Sequence, residues 1–463
     1  EIFRNFSISP IFLRYSAIKL RCTMKHFKNI LKKILYTPIY VLVFLGLSAS
    51  EPLLAQENST QTALNFIEFK GKVLDAQNKK PLIFASITIE GTNASTISNA
   101  QGDYILKVPK ELLNKSVIVS FLGYQTQSIA LDLSKSNRLN LSLEPATITL
   151  NEVDLIIPKD AKALVQETLA KKGDNYFNGP TIMTAFYRET IKKRRKNVSL
   201  SEAVVSIYKS PYNSEREDAI SLYKARKSTD YSKLDTLALK LQGGPFNTLY
   251  IDVMKYPEYL FGSTYIELYK FSYGSSTRVN DQLIYTVNFE PKPNSGETLF
   301  KGALYIDVEN KILTTAIFSL DLTDAKAAAS LFVKRKPKNA NVWPTQVDYR
   351  VDYREKNNKW YYGYSNLILE FKIDWDDRLF NSVYSLNCEM AVTDWENTDR
   401  ASLPKRKDLM KTSMILTDEA IGFSDPDFWG SYNIIEPEKS IENAIKKIIK
   451  QLSKSKENEL VKP

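Results

Sequence analysis

The chain has 463 residues, 43% hydrophobic and 25% charged, a globular composition with length for more than one domain. Its formal charge of +10 is concentrated at one end: eight of the 63 basic and two of the 53 acidic residues lie in 1–55, which leaves 56–463 at about +4. That near-balance removes the main support for nucleic-acid binding. The single histidine, His26, also lies in that segment, so residues 56–463 contain none and cannot run histidine-dependent chemistry.

In chain order, residues 1–23 read as an upstream extension before Met24. Lys25, Lys28, Lys32 and Lys33 form a basic stretch, and Ile34–Leu47 is an uncharged apolar run carrying Pro38. Ser48–Ala55 then offers a cleavage site, so 24–55 reads as a signal peptide and the protein as exported. No cysteine stands at that site, which argues against a lipoprotein. Cys388 is the one cysteine after the signal, so an intramolecular disulfide is excluded there. Its alternation with Leu386, Met390 and Val392 predicts a buried, inert thiol on a strand.

Residues 66–144 alternate in short segments split by turn residues. Strands are expected at Lys70–Asp75, around Ala85, Ile87 and Ile89, at Ser95–Ser98, and along Tyr104, Leu106 and Val108. Further strands follow Val117, Val119 and Phe121, and then Leu139, Leu141 and Leu143. About seven such strands predict a small β-sandwich.

The run GKVLDAQNKKPLIFASITIEGTNASTISNAQGDYILKVP, followed by VIVSFLGYQTQSIALDL, resembles the carboxypeptidase regulatory-like domain, a transthyretin-like sandwich. Gly71, Pro81, Ala85, Gly91, Thr96, Gly102, Tyr104, Gly123 and Tyr124 stand where such domains place turn and core residues. The resemblance implies an exported Gram-negative envelope protein of the periplasm or outer membrane. An envelope protein or outer-membrane transporter component is the partner it suggests. It does not bring zinc peptidase chemistry, which belongs to a separate domain with histidine ligands.

A linker and helix are expected over 145–178, the helix at Asp160–Lys172 with Asp160 as cap and Gly173 as terminator. Residues 179–400 predict a larger antiparallel sheet. Alternation marks Ala203–Ile207, Leu283–Phe289, Leu304–Val308, Ala316–Leu322, Val347–Tyr353, Leu367–Ile373 and Tyr384–Val392, with a helix at Asp324–Phe332. Hairpin turns are expected at Glu309–Lys311 and Glu355–Lys359. The piece GALYIDVENKILTTAIFSLDL resembles lipoprotein-carrier half-barrels, which implies a curved sheet around helices. Residues 401–463 form a C-terminal extension whose stripe of Ile441, Ala444, Ile445, Ile448 and Ile449 predicts a helix.

Two clusters are candidate sites. Trp360, Tyr362 and Tyr364 alternate along one strand and, with Trp375, offer an aromatic ligand surface, against the plainer alternative of sheet packing. Asp374, Asp376 and Asp377 form a carboxylate cluster suited to a glycan hydrolase, against the alternative of a turn. No metal, cofactor or catalytic residue is expected. The basic run Lys192–Lys196 reads as a solvated hairpin end. Three functions follow in order: a non-catalytic binding or interaction protein, a carrier of a lipid or acyl chain, and a carboxylate-dependent hydrolase acting on glycans.

Overall fold

The computed structural model describes residues 6–7, 65–131, 137–146, 160–229, 241–262, 264–279, 282–293, 295–332, 338–398, 404–422, 428–439, 441 and 443. The upstream extension, the signal peptide and the C-terminal helix expected around Ile445 lie outside the described residues, apart from Phe6–Ser7, Ile441 and residue 443.

The N-terminal domain is the expected sandwich. Its strands are β1 (Phe66–Asp75), β2 (Ser86–Ile89), β3 (Ser95–Ile97), β4 (Asp103–Pro109), β5 (Ser116–Ser120), β6 (Gln127–Ala130) and β7 (Leu141–Leu143). One sheet has the order β4-β1-β7, with β7 parallel to β1, and the other the order β3-β2-β5-β6. The inward positions read from the alternation meet in one core: Val73, Ala85, Ile87, Ile89, Tyr104, Leu106, Val108, Val117, Val119, Leu141 and Leu143. Two glycines explain themselves by clearance. A Cβ on Gly71 would stand 1.9 Å from the Leu139 carbonyl oxygen, and Gly102, at φ +75°, would place one 2.8 Å from Pro81 Cβ. Asp75 builds the turn after β1: its carboxylate accepts from the Gln77 and Asn78 amides at 2.7 and 3.1 Å and from Tyr124 Oη at 2.8 Å.

Helix α1 (Ala161–Ala170) begins where Asp160 Oδ1 accepts the Lys162 amide at 2.9 Å. Gly173 does not end the helical path; a separate turn, α2 (Lys172–Asn175), runs through it. The large sheet comprises β8 (Thr181–Lys193), β9 (Lys196–Lys209), β10 (Ala219–Thr229), β11 (Tyr269–Val279), β12 (Gln282–Pro291), β13 (Phe300–Asp307), β14 (Ile312–Leu320), β15 (Ala340–Lys356), β16 (Lys359–Trp375), β17 (Ser382–Asn397) and the short β18 (Ile421–Gly422). The order is β11-β12-β13-β14-β15-β16-β17-β8-β9-β10-β18, antiparallel except for β18. Both expected turns are present. Asp307 gathers the Glu309 and Asn310 amides, while Asn357 and Asn358, at φ +53° and +58°, form a two-residue hairpin turn between β15 and β16.

The two faces of this sheet are covered differently. Against one lie α1, α3 (Phe246–Leu249), α4 (Glu258–Phe261) and the chain between them. Tyr250, Ile251, Met254, Tyr259, Leu260 and Phe261 share one core there with Leu367, Leu369, Phe371, Leu386, Cys388 and Met390, and Phe261 sets its ring against Tyr269 and Phe289. The helix α5 (Ala325–Phe332) seats Phe332 on Phe371, ring centroids 5.8 Å apart. Against the other face lie the sandwich and residues 428–436, with Ile97, Ile105, Phe186, Val204, Tyr364, Ala391, Trp429, Ile434 and Ile435 in one cluster. The described residues of the extension, 404–422 and 428–439, are thus part of the packed molecule, and α6 (Leu416–Glu419) buries Leu416.

Candidate functional site

The expected aromatic stripe does not share a face. Tyr353 pairs with Tyr362 and Asp352 with Tyr364, so Gly363 is an extra residue that reverses the alternation of β16. Trp360 and Tyr362 belong to the helix-covered core, Trp375 joins the same core at the far end of the strand, and Tyr364 faces the sandwich. Trp360, Tyr362 and Trp375 are 2%, 0% and 5% exposed, so as they stand these three are packing residues rather than a ligand surface. Asp374 is half-buried near the end of β16, paired with Asn341, while Asp376 and Asp377 are exposed and follow the strand end as turn residues do. Among the described residues no group of three His, Cys, Asp or Glu side chains is arranged to hold a metal ion. Cys388 is fully buried, and burial pushes its thiol pKa up.

On the helix-covered side one set of buried polar groups closes on itself. Lys209 Nζ lies 2.6 Å from Asp218 Oδ2 and 2.8 Å from Asp252 Oδ2. Tyr212 and Tyr353 donate to Asp252 at 3.1 and 2.8 Å, and Tyr256 donates to Asp218 at 2.9 Å. Burial disfavours the Lys209 ammonium, but the two aspartates outweigh it and raise its pKa. A buried charge set with these partners is satisfied internally.

The sandwich-covered side carries a second set laid out by strand register. Glu202 stands opposite Arg188 on one neighbour and Arg226 on the other, and Arg188 stands opposite Glu389. Arg188 and Arg226 each bond Glu202 at 2.7–2.8 Å, and Arg188 reaches Glu389 at 3.2 Å. Burial raises the pKa of Glu202, but the two guanidiniums outweigh it and hold it below the usual carboxylate range. The strap of residues 428–436 closes over this ladder: Ile435 accepts from Arg188 at 2.8 Å, and Trp429 lies 4.8 Å from the Arg226 guanidinium. The same strap takes hydrogen bonds from Thr96 and Asn99 of the sandwich, each 3.0 Å, and Asn433 accepts the Lys107 amide at 2.7 Å. It therefore cements the two domains together.

Beside the strap the domains part to leave a cleft of about 420 Å³. Ile97, Ile118, Phe121 and Leu122 supply its sandwich wall; Thr315, Arg350, Asp352, Arg354 and Tyr364 supply the sheet wall. Phe84, held at φ +66°, puts its ring 4.9 Å from Tyr364 and 5.5 Å from the Arg350 guanidinium. Arg350 is committed to Asp352 at 2.6 Å. Arg354 is not: it donates to Ser95 Oγ and to the carbonyls of Val392 and Gly363, at 2.8 and 3.4 Å for the last two. Gly363 and Thr393 are bulge positions, where the ladder is locally interrupted, and the guanidinium serves the carbonyls of Gly363 and of Val392, the residue before the second bulge. Without a carboxylate in contact, burial brings the Arg354 pKa down to about 10, opposed in part by Asp352. Tyr364 Oη is buried with no hydrogen-bond partner among the described residues, and burial raises its pKa well above the usual phenol value, so it stays a donor. The cleft thus has a sandwich wall on which apolar side chains stand among Ser86, Thr88, Ser120 and Thr126, and a sheet wall that holds Arg354 and Tyr364 beside Asp352 and Glu355.

Of the aromatic candidates only Tyr364 lines this cleft. The sequence reading missed Phe84, Arg350 and Arg354. The signal available was RVDYRE in β15, where Arg350, Asp352 and Arg354 share one face at period two.

Residues 69–155, which hold most of the sandwich, match the CarboxypepD_reg-like domain. No curated protein matches the chain. Solved structures similar to part of it include a domain assigned to an outer membrane lipoprotein-sorting protein of Vibrio parahaemolyticus. That match has 12% identity, covers 54% of this chain and 97% of the other, and has a TM-score of 0.23. A DUF1329 family protein from Desulfovibrio piger matches at 9% identity over 53% and 96%, also with a TM-score of 0.23. At these scores neither fold nor function passes from those structures to this chain. Among the described residues no helix is long and apolar enough to cross a membrane.

Proposed function

We propose that this is a non-catalytic binding protein of the bacterial envelope, and that its ligand occupies the cleft between the sandwich and the large sheet. The observation that carries this reading is a cleft with apolar side chains on its sandwich wall and, on its sheet wall, Arg354, a buried cation with no contacting carboxylate among the described residues, and Tyr364, whose buried Oη has no acceptor among them. A buried cation without a counter-charge and a buried hydroxyl without an acceptor are both costly, and an anionic ligand group would relieve them. The ligand class that fits has an apolar body and an acidic head: a fatty acid, an acyl-chain carrier product, or a chain segment ending in a carboxylate. The carrier reading moves accordingly from the helix-covered face to this cleft, because helices and aromatic side chains already occupy the former. Export and residence in the periplasm or at the outer membrane rest on the signal-like segment before residue 56. Native mass spectrometry of protein purified gently from envelopes tests the reading. A mass excess lost on denaturation, and reduced in an Arg354→Met, Tyr364→Phe variant, is the expected result. A bare mass in the wild type, with no affinity for oleate or a free-carboxylate peptide, overturns it.

A further inference from the structure

At the end of the sheet where β16 turns into β17, Leu379 and Phe380 stand 97% and 77% exposed, more than any other large hydrophobic side chain described. Two adjacent apolar side chains at a hairpin tip face water at a cost that nothing among the described residues relieves. Their surroundings are basic. The β8–β9 hairpin lies alongside: the Arg194 amide donates to the Val383 carbonyl at 2.8 Å, and Lys193 stands opposite Tyr384. Arg194, Arg195 and Lys196 are exposed there. Arg378 adjoins the tip, its guanidinium 4.8 Å over the Trp375 ring, and Lys372 lies on the same strand end. Asp376 donates its amide to the Asn339 carbonyl at 3.1 Å, which brings exposed Lys338 to the same end. These cations outnumber the acidic side chains of the same end, Asp374 on β16 and Asp376 and Asp377 in the turn.

We propose that this end of the sheet docks on an anionic lipid surface, with Leu379 and Phe380 entering the boundary between headgroups and acyl chains and the basic residues pairing with lipid phosphates. An apolar wedge ringed by Lys and Arg is the composition that interfacial attachment requires, and the charge sign selects anionic over zwitterionic lipid. The surface is distinct from the ligand cleft and does not depend on it. It also gives Lys192–Lys196 a role beyond that of a solvated hairpin end.

Sedimentation of the full chain with vesicles of equimolar phosphatidylglycerol and phosphatidylcholine, against pure phosphatidylcholine, tests this. Replacing both Leu379 and Phe380 by Asp should lower anionic-vesicle binding by at least about tenfold, and Arg194→Glu, Arg195→Glu should lower it comparably. The apolar stretch Ile34–Leu47 is common to all variants, so the comparison isolates the tip. A second readout places a polarity-sensitive fluorophore on Phe380→Cys in a Cys22→Ser background, Cys388 being buried. A blue shift with anionic vesicles, absent with phosphatidylcholine and suppressed by salt, supports the proposal. No shift with anionic vesicles overturns it. So does a shift that appears without lipid and grows with protein concentration, which assigns the tip to a second copy of the chain.

Discussion

The two faces of the large sheet solve the same problem in opposite ways. On the helix-covered face, Lys209, Asp218 and Asp252 answer one another and are ringed by tyrosine hydroxyls, and the remaining surface is filled by aliphatic and aromatic side chains. On the sandwich-covered face, the Glu202 ladder is closed only when the strap is laid over it, and the neighbouring cleft leaves Arg354 and Tyr364 incompletely answered. A polar set that satisfies itself has nothing left to offer a ligand. The proposed binding site therefore lies where covering elements from two domains meet without closing.

Substitutions should separate these two designs. The largest effect is expected from Lys209→Met, which leaves Asp218 and Asp252 facing each other in the core. It should cost about 3–5 kcal/mol, read as an earlier urea midpoint for the whole large domain. Glu202→Gln strips two buried guanidiniums of their shared carboxylate and should cost about 3 kcal/mol. Its signature is different: hydrogen exchange should rise first in residues 428–436 and at Thr96 and Asn99, before the sheet opens. If both variants unfold with the same exchange pattern, the distinction between a self-closed and a strap-closed network fails.

Phe84→Ala comes next. It removes the ring against Tyr364 and should cost about 2 kcal/mol, with Tyr364 and Arg350 gaining solvent access while the helix-covered core keeps its protection. The largest effect on binding belongs to Arg354→Met. About 1–3 kcal/mol of charge-assisted bonding to a ligand would be lost, seen as a weaker affinity for carboxylate ligands, together with a lower melting temperature because the Gly363 and Val392 carbonyls lose their donor.

A pH series sharpens the contrast from the helix-covered side. Glu189 faces that core beside Cys388, and burial, opposed by a 3.0 Å bond from Tyr187 Oη, pushes its pKa up to about 8. A carboxyl raised in the folded state binds its proton more tightly there than in the unfolded chain. Its contribution is therefore complete below the unfolded value near pH 4.5 and is lost as pH rises through about 8. Urea midpoints should fall across that window, and Glu189→Gln should flatten the fall. An unchanged slope would mean that Glu189 is ionised in the native protein.

Much of the architecture was legible because alternation is a local signal. The sandwich core, the buried Cys388, the Asp160 cap and the Asn357–Asn358 turn all follow from residues within one or two strands. The site was less legible for three physical reasons. Gly363 inserts one residue into a clean aromatic alternation and sends Tyr364 to the opposite face from Tyr362, a reversal fixed only by pairing with β15. The ladder of Arg226, Glu202, Arg188 and Glu389 depends on the register of four strands distant in sequence, although a charged residue inside TAFYRETI and SLSEAVVS hinted at it. The strap has no periodicity of its own, since its carbonyls are satisfied by the sandwich and by Arg188 rather than by a helix or a ladder.

The most direct test of the cleft as binding site is site-specific photo-crosslinking in intact envelopes, with a benzophenone side chain at Phe121 in the cleft and, as control, at the exposed Tyr223. A discrete adduct at position 121 that disappears with Arg354→Met, and no such adduct at position 223, is the predicted result. The same adduct from both positions, or an adduct at 121 indifferent to Arg354, would contradict the account.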